Sequence, residues 1–549
     1  LDRGSAVAIK GVGGTHLATR TTGDDAILRI REILGRAQKP FAIMARDIDA
    51  VKAIAHLDRV EEELLQSFRR PIVVLKKRNT LSKYIAPGLH NIGVMLPYSG
   101  VHYLLFHYSK EPAFVMTSAN LPGEPMAKEN EEILALETDY SLIHDRRIKN
   151  RCDDSVIKMV AGSPTFLRRS RGFVPQHIEI SWKNDRNILA LGPELDVTAC
   201  LLKGSSAFLT QYIGNTTKLR TLEYLEKAVY NLLELTKVED IDAVAVDLHP
   251  GFNTSRLGKG MAEKFGAKLV ECQHHHAHAV SLMVEHSIDE VVCIAVDGIG
   301  YGTDGTVWGG EVLLADATGF ERVGGLMPQI MPGGDLATRF PARMVAGVLS
   351  KKYSPEELHE ILDNHVIEGF KNEKEIKIVL QQIQKRFNTP ETTSTGRVLD
   401  AVSALLGVCY KRTYEGEPAI KLESFAFGGK DDLDFPVKIK KIGDRYVLGT
   451  TSIVDTAMTL KDDHHPKDVA ASAQRALSDG FGEMATKVAR RKKVEAVGIS
   501  GGVAYNEAIV RNIRTKLEEK GFELLTHKKV PCGDGGVSLG QACIAANKL

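Results

Sequence analysis

Val292-Cys293-Ile294-Ala295-Val296-Asp297-Gly298-Ile299-Gly300 is the stretch on which the architecture turns. Its first five residues are apolar and bounded by turn formers, too short a run for a helix, and read as a buried strand. The strand is expected to end in a glycine turn, with a second strand around Trp308. The same order occurs earlier in the chain. Ile188-Leu189-Ala190-Leu191-Gly192 is a strand entering a glycine turn, and Val197 to Leu202 with Ser206 to Ile213 makes a hairpin around Lys203-Gly204. Two copies of strand, glycine turn and hairpin predict a duplicated α/β fold, with the second copy opening at about residue 291. Such folds place ligands where strands run out into Gly-rich loops, often between two lobes.

Just upstream lies Gln273-His274-His275-His276-Ala277-His278. His274 and His278 have H-x₃-H spacing, which on a helix puts both imidazoles on one face and lets them point at one metal ion. Two nitrogens are half of a coordination shell, and carboxylates must complete it. Asp297, and Asp534 in Pro531-Cys532-Gly533-Asp534-Gly535-Gly536, are the candidates. Both sit beside glycines, where backbone N–H groups can also approach a phosphate. His274, His278, Asp297 and Asp534 are therefore the expected catalytic and metal-binding set. For the histidine pair alone, surface histidines at a helix start are the plainer alternative.

Composition narrows the class. The 549 residues suffice for roughly two to four domains. Lys plus Arg is 71 against 70 for Asp plus Glu, a net charge of +1, so no global field draws in nucleic acid or an acidic membrane. The cysteines are dispersed and form no C-x₂-C, which argues against a disulfide framework or a zinc finger and fits a reducing cytoplasm. No transmembrane-length apolar run and no signal segment is present. The chain opens at Leu1 without a methionine and is expected to be a fragment with domains missing upstream.

The first part reads as α/β. Ser5 to Ile9 is a short apolar run entering the Gly loop Lys10-Gly11-Val12-Gly13-Gly14. Ile27, Ile30, Ile33 and Leu34 fall on one helical face, and Pro40 is expected to stop that helix. Phe41 to Met44, Pro71 to Leu75 and Phe114 to Thr117 read as strands. Ser181 to Asn187 is polar and reads as a linker, and Ala342 to Arg386 as a charged helical insertion.

Other motifs point to anions, each with a plainer alternative. Thr117, Ser118 and Asn120 end an apolar strand, where hydroxyls and a carboxamide can hold a phosphate; alone they also read as a turn. Lys10 precedes a Gly loop that is not a P-loop. Arg151 and Ser155, with Arg168 and Arg171 of the basic cluster, can complete an anion site or form a solvated face. Gly298, Gly300 and Asp304 belong to a phosphate cradle or a hairpin loop. Gly501, Gly502 and Asn506 follow a strand and are expected to open a helix whose N-terminus suits a nucleotide, or simply a tight turn. Asp400 is expected at a helix start and Glu423 after the turn Tyr414 to Pro418, both as ribose contacts.

Taken together these residues closely resemble the HypF family of carbamoyltransferases. The first part is similar to its YrdC-like domain through Ala8 to Leu17, Lys39 to Met44, Met95 to Tyr98, Thr117 to Asn120, His144 to Arg146 and Arg168 to Pro175. The second resembles its TsaD-like domain, of the actin and sugar-kinase (ASKHA) superfold, through Gln273 to His278, Asp297 to Glu311, Gly396 to Gly407, Ser500 to Asn506 and Pro531 to Gln541. The implied domains are 1–180, YrdC-like and clipped at its first strands, and 187–549, two-lobed and TsaD-like. Family members normally begin with acylphosphatase-like and Cys-rich zinc-finger regions, and neither matches here. Where relatives often carry a basic residue this chain has Leu34, with Arg36 retained.

The resemblance implies two-step carbamoylation. ATP, with Mg²⁺, and a carbamoyl group would give carbamoyl-adenylate at the YrdC-like site. The TsaD-like site, carrying iron or zinc, would pass the carbamoyl group to the C-terminal cysteine of HypE, toward the cyanide ligands of [NiFe]-hydrogenase. The carbamoyl group would derive from carbamoyl phosphate, cleaved by the acylphosphatase-like domain, so this chain alone is not expected to use carbamoyl phosphate. No nucleic-acid or membrane partner is implied. Three alternatives share the fold: an O-carbamoyltransferase of small-molecule biosynthesis, a tRNA threonylcarbamoyl-adenosine factor, and an ATP-responsive actin-like binding module.

Overall fold

The apolar runs of the first part become strands of one mixed sheet. In a computed structural model of the chain, which describes residues 1–182 and 184–549, nine strands lie in this order: Tyr140–Leu142, Val7–Lys10, Thr15–Arg20, Ala113–Ser118, Ile43–Ala45, Asn91–Met95, Ile72–Lys76, Val156–Val160 and Ser163–Arg168. The helix Asp24–Leu34 buries Ile27, Ile30 and Leu34 in a core with Leu17, Phe41, Ile43 and Val94. Each such side chain contributes about 1.5–3 kcal/mol by leaving water. The helix ends earlier than Pro40. Gly35 caps it, donating its N–H to the Arg31 and Glu32 carbonyls. Leu34, which departs from the expected basic residue, is a core side chain.

The chain divides into two units. One comprises Leu1–Met159, Ser163–Glu271 and Lys528–Ala546; the other comprises Val160–Gly162, Cys272–His527 and Asn547–Leu549. The expected second copy, from about 291, lies within the second of these units. The crossing falls at the start of the histidine helix, and a C-terminal segment returns to the first unit.

The expected duplication is present. In one sheet Asn187–Ala190 pairs antiparallel with Cys200–Lys203, which pairs antiparallel with Ser206–Leu209, while Ala243–Asp247 runs parallel on the other side of the first strand. In the other, Glu290–Tyr301, Val307–Asp316 and Phe320–Leu326 form the same antiparallel series, and Val497–Ser500 then Leu524–Leu525 continue it in parallel. Sequential strands thus take the spatial order third, second, first, fourth, fifth in both sheets. This is the mixed α/β architecture of YrdC-like and TsaD-like folds.

One expectation needs correction. The strand at 292 does not stop at Val296 but continues to Tyr301, its pairing register shifting between Val296 and Gly300. Asp297 and Gly298 stand in that bulge, which re-aims a side chain without ending the strand. The true turn is at Gly302 to Thr306, where Gly302 N–H donates to the Thr306 carbonyl. The insertion at 342–386 is helical as expected, with Ala342–Leu349, Pro355–Val366 and Glu373–Lys385. Among the described residues no helix is long and apolar enough to cross a membrane.

Candidate active site

The histidine helix, His274–His286, starts where the Gln273 side chain accepts a bond from the His276 N–H at 2.8 Å. Its histidines are buried, not on the surface. His276 bonds the Asp316 carbonyl at 2.7 Å, and burial with the His274 charge holds the His275 ring well below the usual imidazole range. These two are packed into the fold, and the i, i+4 pair faces elsewhere. His274 Nε2 lies 3.2 Å and His278 Nε2 3.3 Å from the same oxygen, Asp297 Oδ2. The ligand atoms of the three residues lie within 4.8 Å of one another.

Asp297 is anchored from its other oxygen. Oδ1 accepts from Gly298 N–H at 2.8 Å and Gly502 N–H at 3.3 Å. Ser394 Oγ donates to the carbonyls of Asp297 (2.9 Å) and Gly298 (2.7 Å). Burial would raise this carboxyl, but the neighbouring His274 and His278 imidazoles prevail and hold it well below the ordinary range. Two glycines make the approach possible. A Cβ on Gly300 would sit 2.2 Å from His275 Cε1, and one on Gly501 would sit 2.1 Å from the Val296 carbonyl oxygen. Gly501 also has φ +104°, open to glycine alone in practice. Two imidazole nitrogens and a fixed carboxylate are the donor set of a borderline cation such as zinc or iron.

Asp534, the fourth expected ligand, begins a short 3₁₀ turn, Asp534–Gly536, in the first unit. That turn is tied down by Thr198, whose hydroxyl donates to the Gly535 carbonyl at 2.9 Å. Burial first, and the Asp534 charge second among raising influences, push the neighbouring Asp196 carboxyl up.

Several expected nucleotide contacts also hold bonds within the fold. Asp304 closes the hairpin: Oδ1 accepts from Thr306 and Trp308, and Oδ2 from Arg322 at 3.1 Å. Asn506 caps its own helix, accepting from Ile509 N–H at 3.0 Å, and a 3₁₀ turn, Gly502–Tyr505, separates that helix from the strand. Glu423 accepts from the Glu507 N–H at 2.9 Å. Asp400 does not open a helix. It lies inside Thr395–Leu405, 3.0 Å from Arg397, and burial raises its carboxyl to about 6.

The first unit holds a second constellation. Arg36 donates to Thr117 Oγ1 at 3.0 Å, Ser118 Oγ at 3.3 Å and Asn120 Oδ1 at 2.6 Å, so the strand-end motif does assemble. Burial and the Arg168 charge lower Arg36 to about 10; burial, Arg36 and Arg168 lower Lys39 to about 8. Arg168 stacks over the Tyr212 ring at 4.0 Å, and Tyr212 donates to Asp196 at 2.8 Å. Arg168 itself is held charged by Tyr212 and Asp153, and a cluster of cations of this kind can attract a polyanion. Lys39 was not singled out from sequence. Its signal is the charge of Arg36, three residues away, and of Arg168, remote in the chain. Lys10 is tied to Asn130 (2.7 Å), Arg151 to Met126 (2.6 Å), Ser155 to Arg171 (2.9 Å) and Arg171 to Asp154 (2.6 Å), so all four also hold bonds within the fold.

Comparison with known proteins gives this geometry a lineage. Residues 1–170 match a model described as telomere recombination, of the Sua5/YciO/YrdC type. Residues 183–285 match the HypF Kae1-like domain, and 293–541 the second subdomain of a carbamoyltransferase Kae1-like domain. A probable carbamoyltransferase HypF of Methanocaldococcus jannaschii is 47% identical across 98% of this chain and 70% of its own length. The chain belongs to the HypF carbamoyltransferase family. Carbamoyltransferase HypF of Rhodobacter capsulatus is 35% identical over 100% of this chain and 72% of its own. The crystal structure of T. kodakarensis HypF matches with a TM-score of 0.94 at 45% identity, covering 99% of this chain and 72% of that one. Full-length HypF in its phosphate- and nucleotide-bound form matches at 0.93 and 37%, covering 100% and 85%. As a HypF-family member the chain is an enzyme that transfers carbamoyl groups.

Proposed function

We propose that this chain forms carbamoyl-adenylate from ATP and a carbamoyl group, and then passes the carbamoyl group to the C-terminal cysteine of HypE for cyanide ligand synthesis in [NiFe]-hydrogenase maturation. The observation that carries this reading is the convergence of His274 and His278 on Asp297, in a chain with whole-length HypF relatives. Arg36, Lys39 and Arg168 supply the cationic recess for the triphosphate, with Mg²⁺ accompanying it, and Thr117, Ser118 and Asn120 orient its polar groups. The nucleotide-bound state of a HypF relative supports ATP as the ligand.

His274, His278 and Asp297 would hold zinc or iron, with Asp534 as the fourth ligand. A metal bound there supplies Lewis acidity toward the phosphate and carbamoyl oxygens. The fixed carboxylate keeps its place through the Gly298 and Gly502 amides, so no reorganisation is needed when the adenylate arrives. Carbamoyl-adenylate is a mixed anhydride that water destroys, so burial of these side chains protects it.

The acceptor in this reading comes from outside. Burial pushes Cys152 and Cys409 to about 11 and Cys293 and Cys543 to about 12, which leaves these thiols protonated and unreactive near neutral pH. A partner thiol, the HypE tail, fits this arrangement. Near-neutral charge speaks against a tRNA acceptor, and 47% identity to a HypF speaks against the O-carbamoyltransferase alternative. An ATP-responsive binding module would need no tightly held transition metal.

Mixing the chain with HypE, ATP, carbamoyl phosphate and a separate acylphosphatase domain should add one carbamoyl group to the HypE terminal cysteine, read by mass spectrometry. His274→Ala should abolish that adduct and spare carbamoyl-dependent ATP–pyrophosphate exchange. Asn120→Ala should abolish the exchange itself. Equal loss of both activities in His274→Ala would refute separate sites, and absence of any adduct would refute the assignment.

A further inference from the structure

Behind His278 runs a buried line of polar groups that the transfer reaction does not itself require. His278 Nδ1 lies 3.1 Å from Ser500 Oγ, Ser500 Oγ lies 2.9 Å from His527 Nε2, and His527 Nδ1 lies 2.6 Å from Glu285 Oε1. His278, Ser500 and His527 are essentially sealed from solvent, and the Glu285 side chain is 1% exposed. The elements explain the geometry. His278 and Glu285 stand on one helix, His274–His286, seven residues apart, so they share a face two turns from each other. Ser500 ends the strand Val497–Ser500, and His527 follows the neighbouring strand Leu524–Leu525.

Hydrogen counting sets the direction of the line. With Glu285 as carboxylate and His527 as neutral imidazole, His527 carries its proton on Nδ1 and offers Nε2 as an acceptor. Ser500 has one hydroxyl hydrogen and gives it to His527 Nε2. The Ser500 oxygen then accepts from His278, whose Nδ1 must keep its proton. The other nitrogen of that ring, Nε2, is the one beside Asp297 Oδ2.

We propose that Glu285, His527 and Ser500 are positioning residues for His278, fixing its tautomer and ring orientation so that the Nε2 lone pair is presented to a cation at the His274–His278–Asp297 centre. The inference rests on the metal reading above and adds which groups outside the ligand set tune it. A ligating histidine is held by the partner of its other nitrogen, and loss of that partner typically weakens metal affinity by about 10–100-fold.

The test uses the full chain, stripped of metal and titrated with Co²⁺ against a chromophoric chelator, with the visible Co²⁺ spectrum recorded. Ser500→Ala and His527→Leu should bind Co²⁺ about 10–100-fold more weakly, with an altered spectrum. Glu285→Gln keeps an acceptor oxygen for His527 and should bind within a few-fold of wild type. Thermal melts of the metal-free forms show whether each variant folds. Should His527→Leu fail to fold, Ser500→Ala, which deletes one oxygen, decides alone. Wild-type affinity in folded Ser500→Ala overturns the positioning role and leaves the metal reading standing. A loss in Glu285→Gln as large as in His527→Leu also overturns it, because charge rather than orientation would then govern. Failure of the wild-type chain to take up Co²⁺ sinks the metal reading itself, and this inference with it.

Discussion

Lys39 offers the sharpest test of the cationic recess. Its ammonium ordinarily titrates at 10.5, and burial with the Arg36 and Arg168 charges brings it down to about 8. A triphosphate entering the recess would cancel the repulsion and restore the charged form. The sign follows directly. Below about pH 8 Lys39 is already charged, and ATP binding moves no proton. Above it the free protein must take up a proton to bind, so affinity falls as pH rises, tenfold per unit, until the bound-state pKa is reached. The full span, from about 8 to 10.5, would be on the order of 300-fold. Lys39 is open to water, whose screening reduces the effect, so about 10-fold, and at most about 25-fold, is the expected loss between pH 7.5 and 9.5. Isothermal calorimetry with ATP in two buffers of different ionisation enthalpy measures the proton uptake directly. Lys39→Met should bind more weakly at pH 7.5 and lose most of the pH dependence. A wild-type affinity that stays flat across this range, without proton uptake, would refute the charge-crowding account.

Three further outcomes follow from the geometry. Asp400 is pushed from 3.8 to about 6, so the folded chain holds its proton between those values and loses stability as pH rises through them, about 3 kcal/mol in all. Asp400→Asn should therefore gain about 3 kcal/mol relative to wild type between pH 4 and 8 in chemical denaturation, and a pH-independent difference would count against it. Gly300→Ala drives a methyl to 2.2 Å from His275 Cε1 and 3.0 Å from His274 Cδ2, so it should cost at least about 1–3 kcal/mol in a denaturant titration and displace the His274 ring; an unshifted midpoint would show the helix can retreat freely. Zinc or Co²⁺ at 100 times its dissociation constant should stabilise the folded chain by about 2.7 kcal/mol, an effect absent in Asp297→Asn if that carboxylate is a ligand.

Much of this was legible in short-range pattern. The apolar runs at 188 and 292 gave the duplicated sheets because fully buried strands must be apolar on both faces. The i, i+4 histidines met one carboxylate because helical geometry leaves them little choice. Some polar residues expected to bind also cap and brace, and short-range pattern does not separate the two roles. Asn506 is a helix cap, Asp304 a hairpin tie and Arg171 the partner of Asp154. Asp400 was misplaced because Ser394, not Asp400, starts the helix, accepting from Arg397 N–H. The Glu285–His527 pair left no local trace, since its members lie far apart in sequence, and Lys39 needed Arg168 as well as the nearby Arg36.

Asp297 is clamped by segments that the chain reaches only much later, at Ser394 and Gly502. Until those segments arrive, a nascent polypeptide has only a two-pronged histidine grip to offer, which releases ions readily. On the proposed metal reading, cation capture would be tied to completion of the second unit, and an incompletely folded molecule would be poorly equipped to hold metal.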